Sequence, residues 1–265
     1  MDAQTAVSRG HVDVPNCRYL AFDGGYAYVS SYVGKIFEKS VLGSVYKVDT
    51  ATLKIVDRCV VGYQPEEMAI LNGKLYVANS GGYNPMQNMP YDKTVSVIDI
   101  STFKVTKSID IAPNLFRLKS DKYGRLWVSS RGDYANIKSK LYLIENDVLA
   151  DSVDVPIGDF AFNGDSLVYY GSDTYGSTPQ YGVIDIRTNN VVNRNFLHPT
   201  AEAPPVKIPY GLIVHPITGD VYLMDATNYV SSGKLFCFDR NGKYKWNTWT
   251  GDIPGHACFL LRKKK

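Results

Sequence analysis

The sequence predicts an all-β protein, a β-propeller built from four-stranded antiparallel blades, and three observations support this fold class. Short β-rich segments that end in an acidic residue recur along the chain. Glycine-containing turns recur upstream of those segments, and prolines stand before short apolar runs at similar intervals. Such repetition is typical of folds in which each unit must stack on its neighbours to bury its faces.

The acidic segments define the repeat. They lie at 45–49, 95–99, 141–145, 183–185 and 235–239. Their final acids are 50, 46, 40 and 54 residues apart, a spacing typical of propeller blades and too long for successive strands of a sandwich. Each acid precedes a polar turn and a further β-rich run, which predicts a hairpin. A second hairpin upstream, with a turn such as Asn72-Gly73, completes four strands per repeat.

Prolines mark the joints between blades, because the first residue of a strand can lack a ladder donor. We therefore predict one propeller domain over residues 1–265 with five complete blades. Their predicted bounds are about 15–62, 65–112, 113–155, 156–200 and 209–251.

Partial strands are predicted at both ends of the sequence, over residues 6–14 and 256–261. The first resembles an outermost strand and the second an innermost strand, so together they lack two middle strands. We expect the sequence to be a portion of a longer chain. The alternative is a ring closed by an incomplete blade with exposed edges.

The composition excludes several classes of function. The formal net charge is only +3, and Lys263, Lys264 and Lys265 supply as much positive charge as the whole net value, so no nucleic-acid partner is expected. Residues 1–10 lack the apolar core of a signal peptide. The four cysteines have no metal-binding spacing, and neither a metal nor another cofactor is expected.

A tyrosine follows the second strand of every predicted blade. These residues are 51, 51, 41 and 54 residues apart and comprise Tyr32, Tyr83, Tyr134, Tyr175 and Tyr229. Since propellers bind ligands with the loops on one face, we predict an arc of rings that binds a large planar ligand. The alternative is that the rings pack between neighbouring blades.

Polar residues are predicted to converge on the same face as these tyrosines. The further candidate ligand-binding residues are Asn79, Arg131, Asp133, Asp173, Asn228 and His256. Carboxylates, amides and histidine placed in this way could serve a metal-dependent lactonase or similar hydrolase. Because no spacing motif fixes such a site, we predict a protein that is not an enzyme, without catalytic or metal-binding residues.

Two segments carry a family resemblance. Gly73-Lys74-Leu75-Tyr76-Val77-Ala78-Asn79-Ser80 and Thr94-Val95-Ser96-Val97-Ile98-Asp99 resemble the YVTN or YncE-like propeller repeat. Segments 209–212, 218–222, 237–243 and 254–257 resemble the seven-bladed surface lipoproteins of gut Bacteroidota, some of which capture cobalamin.

The resemblance implies a location at the cell surface, in the outer membrane or in the periplasm. It also implies seven blades and a non-catalytic propeller that captures cobalamin or another corrinoid and delivers it to a TonB-dependent outer-membrane transporter. The alternative function is a protein-interaction propeller within an outer-membrane nutrient-uptake complex.

Overall fold

The computed structural model describes residues 2, 4–172, 178–198 and 204–261. It confirms the predicted fold class, because the described residues form an all-β propeller with five four-stranded antiparallel sheets. The described residues also contain a short 3-10 helix at Asn84–Gln87. None of their helices has the length and apolar character needed to cross a membrane. The chain divides into two compact units, Met1–Ser152 (unit 1) and Val153–Lys265 (unit 2).

Three sheets belong to the first part of the chain, and in each the strands follow one another in sequence order. The first sheet comprises β1 (Cys17–Asp23), β2 (Tyr26–Ser31), β3 (Leu42–Asp49) and β4 (Lys54–Tyr63). The second comprises β5 (Pro65–Leu71), β6 (Lys74–Asn79), β7 (Thr94–Asp99) and β8 (Lys104–Asp110). The third comprises β9 (Leu115–Ser120), β10 (Leu126–Ser130), β11 (Lys140–Glu145) and β12 (Val148–Val153).

Two further sheets belong to unit 2. The first of them comprises β13 (Asp159–Asn163), β14 (Ser166–Gly171), β15 (Gln180–Asp185) and β16 (Asn190–Asn193). The second comprises β17 (Pro209–Val214), β18 (Val221–Asp225), β19 (Ser232–Phe238) and β20 (Tyr244–Asp252).

The acids that define the repeat in the sequence close the turn after the third strand of a sheet. Asp49 Oδ1 accepts hydrogen bonds from the amides of Ala51 (2.9 Å) and Thr52 (2.7 Å). These amide bonds and one from the Thr52 side chain lower the pKa of Asp49. A side chain that binds the backbone two or three residues ahead stabilises a tight turn, which explains why an acid recurs at this position.

Apolar side chains fill the spaces between neighbouring sheets of one unit. In unit 1, Tyr28, Val45 and Cys59 of the first sheet pack against Met68 and Leu75 of the second. In unit 2, residues of both sheets share one cluster that includes Val168, Leu197, Leu212 and Phe236. Blade stacking, with alternate side chains of each strand turned to opposite faces, therefore builds the core.

The two terminal segments differ from their prediction as partial strands. Residues 6–14 and 256–261 are described, and neither segment contains a strand. The apolar alternation of the first segment still has a structural effect, because Val12 and Val14 pack against the first sheet. A strand requires a hydrogen-bonding partner along its length, and neither segment pairs with any of the five described sheets.

Candidate functional site

One end of the sheets of unit 1 carries the candidate site. Residues Cys17, Ser31 and Ser44 pair across β1, β2 and β3, so the start of the first strand lies beside the end of the second. The same register holds in the second and third sheets. We call this the loop end of unit 1, where β1, β5 and β9 begin and the β2–β3, β6–β7 and β10–β11 loops leave.

Each innermost strand of unit 1 begins with the same backbone irregularity. The pairing register shifts near the start of β1, β5 and β9. The preceding residues Asn16, Gln64 and Asn114 all have a positive φ, of 42°, 44° and 59°. A β-bulge re-aims neighbouring side chains, and here it contains three short charged or aromatic segments. These segments are Arg18-Tyr19, Glu66-Glu67 and Phe116-Arg117.

The buried carboxylate of Glu66 lies at the centre of the site, with its side chain 2% exposed. Its Oε1 accepts a 2.5 Å hydrogen bond from the hydroxyl of Tyr32 and lies 3.6 Å from Nη1 of Arg131. Its Oε2 lies 3.8 Å from Nε of Arg18. The first and third sheets therefore both contribute side chains to a carboxylate that the second sheet carries.

Tyr32 and Arg131 reach Glu66 from equivalent positions on either side of it. The amide of Tyr32 donates to the carbonyl of Asn16, and the amide of Arg131 donates to the carbonyl of Asn114. Each residue is thus the first one after the second strand of its sheet. The repeat places both side chains at the equivalent position at the loop end of their sheets. A carboxylate on the intervening sheet can therefore interact with both.

Aromatic rings surround the guanidinium groups of this site. The Arg18 guanidinium lies 4.7 Å from the Tyr32 ring centroid, and that of Arg131 lies 3.4 Å from the Phe116 centroid. The Tyr32 ring also contacts Tyr83 edge to face at 6.2 Å. Guanidinium groups stack favourably on such rings. We call Arg18, Tyr32, Glu66, Tyr83, Phe116 and Arg131 the arginine–aromatic cluster.

A second arginine–tyrosine contact, between Arg117 and Tyr19, packs against Phe116 of the cluster. Buried Arg117 stacks on Phe116, 4.5 Å from its centroid, and its Nη1 donates to the hydroxyl of Tyr19 at 3.1 Å. The Tyr19 ring in turn meets Phe116 edge to face at 6.2 Å. Phe116 therefore has a fixed orientation, with one guanidinium of the cluster stacked on it.

Arg18 is charged and Tyr32 is neutral at neutral pH. Burial lowers the pKa of Arg18, but Tyr32 and Glu66 outweigh this effect, and the pKa lies above its ordinary value. Burial is also the main reason that the pKa of Tyr32 is raised, and Glu66 raises it further. The arginine thus stays cationic and the phenol stays a hydrogen-bond donor.

The predicted tyrosine arc has unequal members in the structure. Tyr32 is buried and bonded to Glu66, contrary to the expectation of an exposed ring, whereas Tyr83 is half-buried beside it. Tyr134 is exposed in unit 1, and Tyr229 is exposed in unit 2 with its ring 5.5 Å from Tyr210. Tyr175 lies outside the described residues. The Tyr32 ring is thus buried at the contact between the first and second sheets.

The predicted polar residues mostly fix loops. Asp133 Oδ1 accepts bonds from the amides of residues 135–137, and these amide bonds lower its pKa. Asn228 Oδ1 accepts bonds from the amides of residues 230 and 231. Buried Asn79 donates to Thr94 and Ser96 at the end of β6.

Two predicted polar residues lie elsewhere. His256 is exposed in unit 2, in a segment without a strand, and Asp173 falls outside the described residues. Of the predicted polar residues that the structure describes, only Arg131 belongs to the arginine–aromatic cluster. Among residues 2, 4–172, 178–198 and 204–261, no group of three or more His, Cys, Asp or Glu side chains could hold a metal ion.

The sequence prediction missed Arg18, Glu66 and Phe116. A signal for them exists in the sequence, because each lies two residues after an Asn or Gln at a blade joint, namely Asn16, Gln64 and Asn114. A charged residue at the start of an innermost strand is unusual for a strand buried on both faces. The signal becomes readable only when the three sheets are aligned by their register.

Comparisons with known proteins identify the fold alone. No protein-family model and no curated protein matches the sequence. Hydrazine synthase of Kuenenia stuttgartiensis is similar in structure at 19% identity, over 94% of this chain and 70% of that one, with a TM-score of 0.65. The resemblance to the YVTN or YncE-like repeat therefore stays a prediction.

Two further similar structures are domains of fungal proteins. The Cps50 (Swd1) β-propeller domain of Myceliophteria thermophila is 12% identical over 87% of this chain and 67% of that one, with a TM-score of 0.60. The Pan2 WD40 domain of Neurospora crassa is 13% identical over 92% and 77% of the two chains, also with a TM-score of 0.60. Proteins with such different names share this scaffold. The fold by itself therefore does not indicate a function, which must be argued from the site.

Proposed function

We propose that this protein is a non-catalytic binding propeller that holds a flat ligand with an anionic group at the loop end of unit 1. The observation that carries this proposal is the position of Arg18 and Arg131 on either side of Glu66. Their side chains are 36% and 29% exposed, so solvent and ligands can reach both guanidinium groups.

Both guanidinium groups have unused hydrogen-bonding capacity. Their distances to Glu66, 3.8 and 3.6 Å, exceed normal hydrogen-bond lengths. Within the described part of the chain, no side-chain acceptor bonds to either group. A carboxylate or phosphate would gain charge-assisted hydrogen bonds there, and the planar fork of arginine fits both anions.

The rings of the cluster favour a ligand with a flat body. Tyr83 is half-buried against Tyr32, and Phe116 already stacks on Arg131. A flat ligand can contact such rings and guanidinium planes together without displacing the Tyr32–Glu66 hydrogen bond. Because the Tyr32 ring is buried, it forms part of the wall of the site.

The family resemblance places a corrinoid first among flat ligands. Cobalamin combines a flat macrocycle with a phosphate group, which is the chemistry that the cluster fits. In this proposal the protein lies at the cell surface or in the periplasm and passes its ligand to a TonB-dependent transporter. The resemblance alone supports this location and this partner.

Calorimetric titration with cyanocobalamin tests the ligand, and benzoate tests the chemistry of the site without a corrin ring. We expect saturable binding of the ligand that Arg131→Gln weakens by about tenfold or more, the effect of losing one charge-assisted bond. Arg187→Gln is the matched control, because Arg187 lies in an exposed turn of unit 2 and pairs with Asp185.

The two probes distinguish a wrong ligand from a wrong binding site. Benzoate binding without cyanocobalamin binding would remove the corrinoid and keep the anion site. Failure of both probes to give a saturable signal at high micromolar concentration would contradict the proposed function. Equal weakening by Arg187→Gln would also contradict it, because the effect would then be general.

A second candidate function, protein docking within an outer-membrane nutrient-uptake complex, has its own supporting observation. The loops at the loop end of unit 1 carry exposed apolar side chains, namely Phe37, Met86, Tyr134 and Ile137. Contiguous exposed apolar surface is typical of protein-binding sites. A membrane pull-down with the unchanged protein that recovers one partner, lost with Phe37→Ser and Met86→Ser, would favour this function.

A further inference from the structure

The loop end of unit 1 carries a group of charged side chains with a small positive excess, which we call the charge cluster. It comprises Arg18, Arg117, Arg131, Glu66 and Glu67. Three guanidinium groups and two carboxylates give it a formal charge of +1. The partly exposed guanidinium groups of Arg18 and Arg131 are therefore largely balanced by acids of the same cluster.

The pKa of Tyr19 shows that members of the charge cluster act at one place. Burial is the main cause of the raised pKa of Tyr19, and Arg117 lowers that pKa. Glu66 and Glu67 raise it further, whereas Arg131 lowers it. Coulombic interactions between side chains decay within about 10 Å in salt solution. The four charged groups that act on this one phenol therefore also act on one another.

Glu66 is the acid of the charge cluster that faces both partly exposed guanidinium groups. Its carboxylate lies 3.8 Å from Nε of Arg18 and 3.6 Å from Nη1 of Arg131. Its Oε1 accepts the hydrogen bond of Tyr32, whereas no hydrogen-bond donor of the described residues reaches Oε2. An anion bound to both guanidinium groups would therefore lie beside a carboxylate oxygen that repels it.

The charge of a ligand enters its binding free energy in two different ways. Attraction to the charge cluster is proportional to the ligand charge, whereas the cost of removing the ligand from water grows with the square of that charge. The formal charge of +1 balances one negative charge. A second negative charge doubles the attraction but raises the dehydration cost fourfold, and it leaves the occupied cluster with an excess of negative charge.

We propose that the charge cluster selects ligands with one negative charge over ligands with two. Carboxylates, sulfonates and phosphate diesters belong to the favoured class, whereas phosphate monoesters and phosphonates do not. Glu66 determines this selectivity, because its negative charge keeps the excess of the cluster small at the point where the anion binds. This inference rests on the proposed function, since it concerns the same anion site.

Two matched probes test the inference, benzenesulfonate with one negative charge and phenylphosphonate with two. Both carry the same ring and a tetrahedral group with three oxygens, so they differ chiefly in charge. At about pH 9 the phosphonate carries both charges, because that pH lies above the second pKa of phosphate-type groups. In calorimetric titration we expect the unchanged protein to bind benzenesulfonate several-fold more tightly than phenylphosphonate.

Glu66→Gln removes one negative charge beside the bound anion and keeps a hydrogen-bond acceptor for Tyr32. The repulsion that is lost is twice as large for a doubly charged ligand as for a singly charged one. If benzenesulfonate binds about tenfold more tightly to the variant, phenylphosphonate should therefore bind about a hundredfold more tightly. The preference for the single charge should shrink or reverse.

Glu145→Gln is the matched control, because Glu145 ends β11 at the end of the sheet opposite the loop end. It removes the same charge, and screening over that distance should leave both affinities unchanged. Glu67→Gln is a second test, since its amide oxygen can still accept from the backbone amide of Leu118. It should also tighten phenylphosphonate more than benzenesulfonate. Circular dichroism checks that each variant retains its sheets.

Phenylphosphonate that binds the unchanged protein as tightly as benzenesulfonate, or more tightly, overturns the inference. An equal fold-change for both probes in Glu66→Gln and Glu67→Gln also overturns it, because the site would then not distinguish their charges. Benzoate separates this failure from that of the proposed function. A protein that still binds benzoate keeps the anion site in either case, whereas one that binds none of the three probes loses both the anion site and the inference.

Discussion

Two buried carboxylates, Glu66 in unit 1 and Asp225 in unit 2, lie at the same end of their sheets and have different partners. Asp225 accepts bonds from the amides of Ile208 (2.8 Å), Thr227 (2.9 Å) and Lys207 (3.1 Å). Glu66 is bonded to the Tyr32 hydroxyl and faces two guanidinium groups. A carboxylate saturated by backbone amides fixes a loop, whereas one that faces partly exposed guanidinium groups has partners that a ligand can recruit.

The largest expected effect is the loss of stability on Asp225→Ala. Three amides would lose their acceptor in a buried site, and at about 1–3 kcal/mol for each unsatisfied group the free energy of unfolding should fall by about 4 kcal/mol. Urea unfolding followed by the fluorescence of Trp246 and Trp249 in unit 2 measures it. Asp225→Asn keeps one acceptor oxygen and should lose less. A loss below about 1 kcal/mol for the alanine variant would contradict the structural role of Asp225.

Glu66→Ala should cost less, about 3 kcal/mol, because it leaves two partly solvated guanidinium groups without their counter-charge. Glu66→Gln keeps a hydrogen-bond acceptor for Tyr32 and removes only the negative charge, so it measures the effect of the charge alone. With the negative charge gone, benzoate binding at Arg18 and Arg131 should tighten, and Asp225→Asn should leave it unchanged. Weaker benzoate binding by a folded Glu66→Gln variant would show that Glu66 does not compete with the anion.

The smallest effect is expected for Tyr32→Phe, about 1.5 kcal/mol for one hydrogen bond to a charged acceptor. The burial of Tyr32, together with the charge of Glu66, also gives a pH dependence. The pKa of Tyr32 is raised in the folded protein, so its contribution to stability is complete below about pH 10, the usual pKa of an unfolded tyrosine. Above that pH the unfolded chain releases the proton first, and stability is lost as the pH rises.

Unfolding measured between pH 8 and 11 checks the sign of this dependence. The unchanged protein should lose stability over the alkaline part of that range, and Tyr32→Phe should lose less. Burial also raises the pKa of Tyr19, so this residue likewise makes stability fall as the pH rises. Part of the pH dependence should therefore remain in the Tyr32→Phe variant. An identical alkaline slope in both proteins would mean that Tyr32 ionises alike in the folded and unfolded states.

Much of the fold could be predicted because it depends on local chemistry that repeats. The acids at the end of the third strand accept amide bonds from the next few residues, so Asp49 and Asp99 indicate their turns directly. Less of the site could be predicted. Tyr32 follows its strand as Tyr83 and Tyr134 follow theirs, yet it is buried while Tyr134 is exposed. Its hydroxyl donates to Glu66, which is 34 residues away in the sequence.

The sequence alone determined the class of fold, the number of complete sheets in the chain and the position of most turns. These features follow from strand alternation and from contacts between near neighbours, which a linear pattern records. Tertiary structure decided which side chains of three different sheets meet at Glu66 and how deeply Tyr32 is buried beside them. Those outcomes depend on side chains that the stacking of sheets brings together. The spacing of these residues along the chain does not reveal that they meet.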